Sequence, residues 1–90
     1  MGEGISDSSK EKITVIAEKD PAVTKVLNII SVYEAPDEIL LMLIIAFKQD
    51  LDTQEINESI DRLRKEIKEE FKLMKFVIIQ PESITKQFKY

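Results

Sequence analysis

The side chains best placed to do chemistry are carboxylates beside loops: Glu34, Asp37 and Glu38 in one stretch, Asp50, Asp52 and Glu55 in another. Clustered oxygen donors suit a hard cation such as Ca²⁺ or Mg²⁺. The spacing does not match a calcium loop, which needs further ligands, a turn glycine and a distal glutamate. These residues therefore read as a solvated turn followed by a helix cap. Paired carboxylates also run acid–base chemistry, but nothing in the sequence marks a pocket around them. Other reactive groups are sparse. The chain has no His and no Cys, which removes the commonest general base, the commonest zinc ligand, thiolate nucleophiles and disulfides. Ser and Thr are left without a His or Cys partner, and no Lys carries the signature of a base. Met42 and Met74 lie in apolar runs, where methionine fills core space and is seldom a soft-metal ligand. Both glycines, Gly2 and Gly4, precede Ile5, so no glycine-rich loop can cradle a phosphate. No catalytic, cofactor-binding or metal residue is assigned, no cofactor is expected, and the chain reads as a non-enzyme.

Partners narrow in the same way. A net charge of −4 argues against a nucleic-acid surface, which clusters Lys and Arg. Arg62, Arg64, Lys65 and Lys68 are interleaved with acids and form a mixed solvent face. Tyr33 and Phe76 could stack on RNA bases, but KFVIIQ at residues 75–80 lacks the aromatic and basic pattern of such a strand, so packing is the reading. Asn57 reads as a solvated helix position. The N-terminus holds no apolar signal segment.

The elements follow from the apolar pattern. Ile39 to Phe47, ILLMLIIAF, is an unbroken apolar run. It is far short of the roughly 20 residues that cross a bilayer, and it lacks the polar breaks of an amphipathic helix or half-buried strand. It reads as a strand covered on both faces. A chain of 90 residues has too few helices for that, so one face is expected under helices and the other against a second molecule.

Around this strand the pattern predicts a short helix capped by Ser8 with Glu11, with Ile13, Ile16 and Ala17 on one face. Asp20-Pro21 ends it. A strand over Thr24 to Tyr33 follows, then a turn at Glu34-Ala35-Pro36-Asp37 that makes the first two strands antiparallel. Asp52 with Glu55 opens a long helix, Thr53 being the competing cap. Its stripe is Ile56, Ile60, Leu63, Ile67 and Phe71, and Glu58–Arg62 and Asp61–Lys65 are its i,i+4 pairs. Met74 to Gln80 is a third strand closed by Pro81. The strand–helix–strand crossover makes strands two and three parallel. The fold class is α+β, a ferredoxin-like α-β-β-α-β with a three-stranded mixed sheet and two helices on one face. Residues 1–6 read as a linker or cloning remnant, 7–82 as one domain and 83–90 as a tail.

This order of elements, with certain residues, resembles the cytoplasmic C-terminal domain of cation diffusion facilitator transporters. The resemblance covers Gly2 to Ser83. It rests on Gly2-Glu3-Gly4, Asp20-Pro21-Ala22-Val23, Ala35-Pro36-Asp37-Glu38-Ile39-Leu40, Leu51, Ile60-Asp61-Arg62-Leu63, and Val77-Ile78-Ile79-Gln80-Pro81-Glu82-Ser83. In that family six transmembrane helices exchange a divalent cation, usually zinc, for protons, and the soluble domain holds two subunits together. Several members bind regulatory zinc at the dimer junction through histidines and carboxylates. Those histidine positions fall near Leu43, Asn57 and Ile78 here, which implies a His-poor branch where apolar packing replaces the metal.

The expected function is thus a soluble dimerisation and regulatory domain of a zinc or other divalent-cation efflux transporter, at the cytoplasmic face of a membrane. Its partners are a second copy of itself and the transmembrane domain of the parent, with no nucleic acid. The interface is placed on Leu41, Leu43, Ile45, Val77 and Ile79, or on the opposite strand faces if the phase is reversed. The alternative is a stand-alone ferredoxin-like regulatory module that binds a small molecule.

Overall fold

The computed structural model describes residues 5–82. The expected Gly2-Glu3-Gly4 match and the 83–90 tail lie outside the described residues. The elements are α1 (Asp7–Glu18), β1 (Val23–Ala35), β2 (Glu38–Phe47), α2 (Thr53–Glu70) and β3 (Met74–Glu82). The α-β-β-α-β order is the one the sequence predicts.

Helix α1 starts two residues earlier than the Ser8 cap would allow. Ser6 takes the extended cap conformation and its Oγ accepts the Ser9 N–H at 3.2 Å. That puts Asp7 in the first turn, where its charge meets the positive end of the helix. Helix α2 opens as expected, with Asp52 Oδ1 accepting the Glu55 N–H at 2.8 Å and Glu55 Oε1 accepting the Asp52 N–H at 3.0 Å. Thr53 is simply the first helical residue.

The sheet order is β1-β2-β3, with β1 and β2 antiparallel and β2 and β3 parallel. Pro36 and Asp37 are the only residues between β1 and β2. Proline fixes φ near −65°, which excludes the left-handed turns usual in two-residue hairpins. A register irregularity between Tyr33 and Ala35 sits beside the turn. Pro81 lies inside β3, opposite Ile45, instead of closing it. Because β3 is an outer strand, the missing N–H need not break the ladder.

Both helices cover one face of the sheet. Ile13 and Ala17 of α1 and Leu63 and Ile67 of α2 join Leu41, Leu43 and Ile45 of β2 in one core, all fully buried. Full burial of each large aliphatic side chain contributes about 2 kcal/mol. Ile16, Ile56, Ile60 and Phe71 line its margin.

Candidate dimerisation surface

The strand β2 is apolar almost throughout, so its faces differ in what covers them. Ile39, Leu41, Leu43 and Ile45 point under the helices and are at most 4% exposed. Leu40, Met42 and Ile44 point the other way and are only partly buried. Residues opposite one another on neighbouring strands share a side, so the register extends this second face into rows. One row is Val32, Leu40 and Phe76, and the next is Ile30, Met42 and Ile78. The third, Asn28, Ile44 and Gln80, has polar ends. Among the described residues nothing lies over the two apolar rows, where Phe76 is 51% exposed and Ile78 44%.

The interface residues named from the sequence fall elsewhere. Leu41, Leu43, Ile45, Val77 and Ile79 are 0% to 6% exposed within a single chain. The protomer's own helices already cover them, so they are core, and the apolar set left open is the opposite one. Side chains alternate along a strand, so the reversed phase moves the whole set at once. Tyr33 and Phe76 are about half exposed. Met74 is core, and Met42 lies on the open face. Leu43 is buried, Asn57 is exposed on α2, and Ile78 is on the open face.

The sheet's edges are blunted. Along β1 the Val26 N–H donates to the Glu18 carboxylate at 3.2 Å, and the Ile29 N–H to Asn28 Oδ1 at 2.9 Å. Along β3 Arg64 Nε donates to the Val77 carbonyl at 3.1 Å, and Pro81 brings no N–H. These are the backbone groups an added strand would need.

The carboxylates do not gather into a site. Asp52 and Glu55 are used in the helix cap. Among the described residues no three Asp or Glu converge on a point where an ion could sit. The most connected carboxylate is one the sequence reading passed over. Asp20, just after α1, is 8% exposed. Its Oδ1 accepts from the Ala22 N–H at 3.0 Å, Ser59 Oγ at 3.1 Å and Arg62 Nη2 at 3.0 Å, and its Oδ2 from Arg62 Nε at 3.0 Å. Burial disfavours the ionised form and is the largest single influence. The Arg62, Ala22 and Ser59 hydrogen bonds together outweigh it and hold the carboxyl below its ordinary value. Arg62 therefore makes its close ion pair with Asp20 in the α1–β1 loop, Glu58 acting on it through charge alone, while Asp61 pairs with Arg64 at 3.3 Å instead of Lys65. The cluster pins the loop to α2.

A known family model, ZT_dimer, described as the cation efflux protein cytoplasmic domain, matches residues 5–84. The chain belongs to that family. No curated protein matches it. As a cation efflux cytoplasmic domain it has the expected fold relatives. The MamM C-terminal domain in a cadmium form is 16% identical and superposes with a TM-score of 0.77, covering 86% of this chain and 95% of that one. A nickel form (15% identity, TM-score 0.77, 87% and 98% covered) and a copper form (16%, 0.76, 86% and 95%) are similar. At such identity the likeness establishes the ferredoxin-like fold. The metals in those titles belong to MamM. This cation efflux domain holds neither imidazole nor thiolate.

Proposed function

We propose that this domain holds two copies of a divalent-cation efflux transporter together on the cytoplasmic side of a membrane, with zinc as cargo. The copies meet through their open sheet faces, and no metal bridges them. The observation that carries this reading is the pair of apolar rows left uncovered on the sheet, Val32–Leu40–Phe76 and Ile30–Met42–Ile78. A soluble monomer seldom leaves so continuous an apolar surface open without a use for it. Family membership supports dimerisation and the transporter setting. Apolar burial supplies the attraction, at about 25 cal/mol per Å² before association entropy is subtracted. The role is mechanical: the domain keeps two transport units in register.

Light scattering tests it at about 500 µM protein, in EDTA and then in excess zinc, with concentration read by refractive index. The natural chain is expected to be dimeric in both. Ile78→Glu is expected to stay folded and become monomeric, whereas Leu43→Glu is expected to unfold. A chain that dimerises only with zinc overturns the metal-free contact, and an Ile78→Glu dimer overturns the face. Zinc uptake by vesicles carrying the full-length transporter tests the cargo.

The stand-alone regulatory module finds less support. The groove beside the hairpin, lined by Tyr33, Ile39, Phe71 and Met74 among others, is open to solvent. Among the described residues no buried side-chain nitrogen or oxygen lacks a partner, so no unsatisfied group waits there for a ligand.

A further inference from the structure

We infer that residues 83–90 fold back onto their own chain, with Phe88 seated in the cleft between the α1–β1 loop and the start of α2. Lys86 and Lys89 then lie over the carboxylates at its rim. The segment acts as a clasp from outside on the same loop that Asp20 pins from within. It does so whichever way two copies meet, and most of it, 85–90, lies past the family match, which ends at residue 84.

The cleft holds about 270 Å³, with Pro21, Ala22 and Leu51 as its apolar floor and Glu55, Glu58 and Arg62 around them. A cavity of about 150 Å³ takes a benzene ring, so this one has room for an aromatic side chain. Charge selects the occupant. Between Lys48 and Arg62 the sequence has Asp50, Asp52, Glu55, Glu58 and Asp61 and no Lys or Arg. Glu58 accepts from the neutral Gln54 amide at 3.3 Å and makes no close ion pair among the described residues. Arg62 is already matched by Asp20. Residues 83–90, SITKQFKY, bring Lys86, Lys89 and two aromatic rings, with no Asp or Glu.

Reach narrows the choice of seat. Glu82 pairs with Ala46, and the Lys48 N–H donates to the Ala22 carbonyl at 2.9 Å. Two strand spacings across and two residues along put Ala22 about 12 Å from Glu82. Phe88 follows Glu82 by six residues, about 20 Å of extended chain. The hairpin groove at Tyr33 and Met74 lies at the far end of β3, about 26 Å from Glu82. The groove at Val15 and Glu70 lies by the last turn of α2, about 25 Å from its start. The neighbouring cleft is within reach, but its rim carries Lys19 and Lys65, which repel a lysine pair. The apolar rows of the open sheet face offer no carboxylate. Ordering the segment costs backbone entropy and exposed ion pairs are weak, so ring and charges must act together.

The chain has no Cys, so a nitroxide on Gln87→Cys is its single spin label, and amide spectra of the full chain report where the label lies. The Ala22, Leu51 and Glu58 signals are expected to lose most of their intensity, and those of Ile30, Met42 and Ile78 to keep theirs. About 1 M salt shortens the screening length to about 3 Å and is expected to restore the cleft signals. Glu58→Lys is expected to restore them too, and Lys86→Glu added to it to remove them again. Without any label, Phe88→Ala is expected to shift the same three amides. Loss at Ile30, Met42 and Ile78 instead overturns the inference, because the segment then lies on the sheet face. Loss confined to the residues next to Glu82, with no Phe88→Ala shift at the cleft, overturns it as well. So does loss in an isotope-labelled chain mixed with separate spin-labelled chains, since the clasp then comes from another copy. Cleft signals that ignore both salt and Glu58→Lys overturn the charge pairing on which the choice of seat depends.

Discussion

At the scale of single residues, Asp20 carries the sharpest consequence. Its carboxylate is buried and tied to Arg62, Ser59 and the Ala22 N–H, and its ionisation lies below the ordinary range. A carboxyl whose folded-state value is depressed stabilises the fold above its unfolded value, near 3.8. That contribution is lost as pH falls through the folded value. Asp20→Asn is therefore expected to cost about 2 kcal/mol at pH 7, from lost charge-assisted hydrogen bonds and a poorly matched Arg62. Urea unfolding at pH 7 and again at pH 3 checks it, and the gap between variant and natural chain should narrow at pH 3. An equal gap at both values would mean that ionisation plays no part. Asp20 lies 39 residues from Ser59 and 42 from Arg62, and no local pattern links them. Ser59 did leave a signal: it falls three residues after Ile56 and four before Leu63, inside the apolar stripe of α2. The Asp52–Glu55 cap, by contrast, is local and readable. Asp52→Ala is expected to cost about 1 kcal/mol, read as a lower midpoint in the same urea series.

At the scale of elements, β2 explains what the sequence could and could not tell. Its run ILLMLIIAF reads as a strand covered on both faces, one of them by helices, and the capped stripe of α2 and the right-handed crossover lead to a parallel β2–β3 pair. Which face points to the helices was not legible, because apolar residues fill both sets of alternating positions. The neighbouring β1 offers a misleading clue: Ser31 pairs with buried Leu41 on the helix side, where its Oγ accepts the Ile5 N–H at 3.0 Å, while Ile30 and Val32 face outward. Only the packing of Ile13, Leu63 and Ile67 over Leu41 and Leu43 fixes the phase. The two faces should then respond differently to truncation. Leu43→Ala leaves a cavity under α2 and is expected to cost about 3 kcal/mol at any protein concentration. Ile78→Ala is expected to cost under 1 kcal/mol at a concentration low enough for the chain to be monomeric, and more at a higher one at which copies pair. Denaturation midpoints at the two concentrations separate these cases, and equal penalties for the two variants would reverse the assignment of faces.

At the scale of the whole molecule the argument turns on what joins two copies. The fold is shared with MamM domains whose forms carry cadmium, nickel and copper, yet this chain offers neither imidazole nor thiolate. A ligand that binds the folded state at 100 times its dissociation constant stabilises it by about 2.7 kcal/mol. For a domain of this length such a gain raises Tm by more than about 10 °C. A zinc site of micromolar affinity, exposed to about 100 µM zinc, would therefore announce itself in a melting curve. The expectation here is a shift below about 1 °C, the same in EDTA as in zinc, and no change in solution mass. The control is Ile78→His, which sets a single imidazole in each copy on the open face. If zinc then tightens pairing of that variant while leaving the natural chain unmoved, the open face is the junction and apolar side chains hold it. A Tm rise of several degrees in the natural chain would instead show that its carboxylates assemble a site in the paired state, and the metal-free clamp would have to be abandoned.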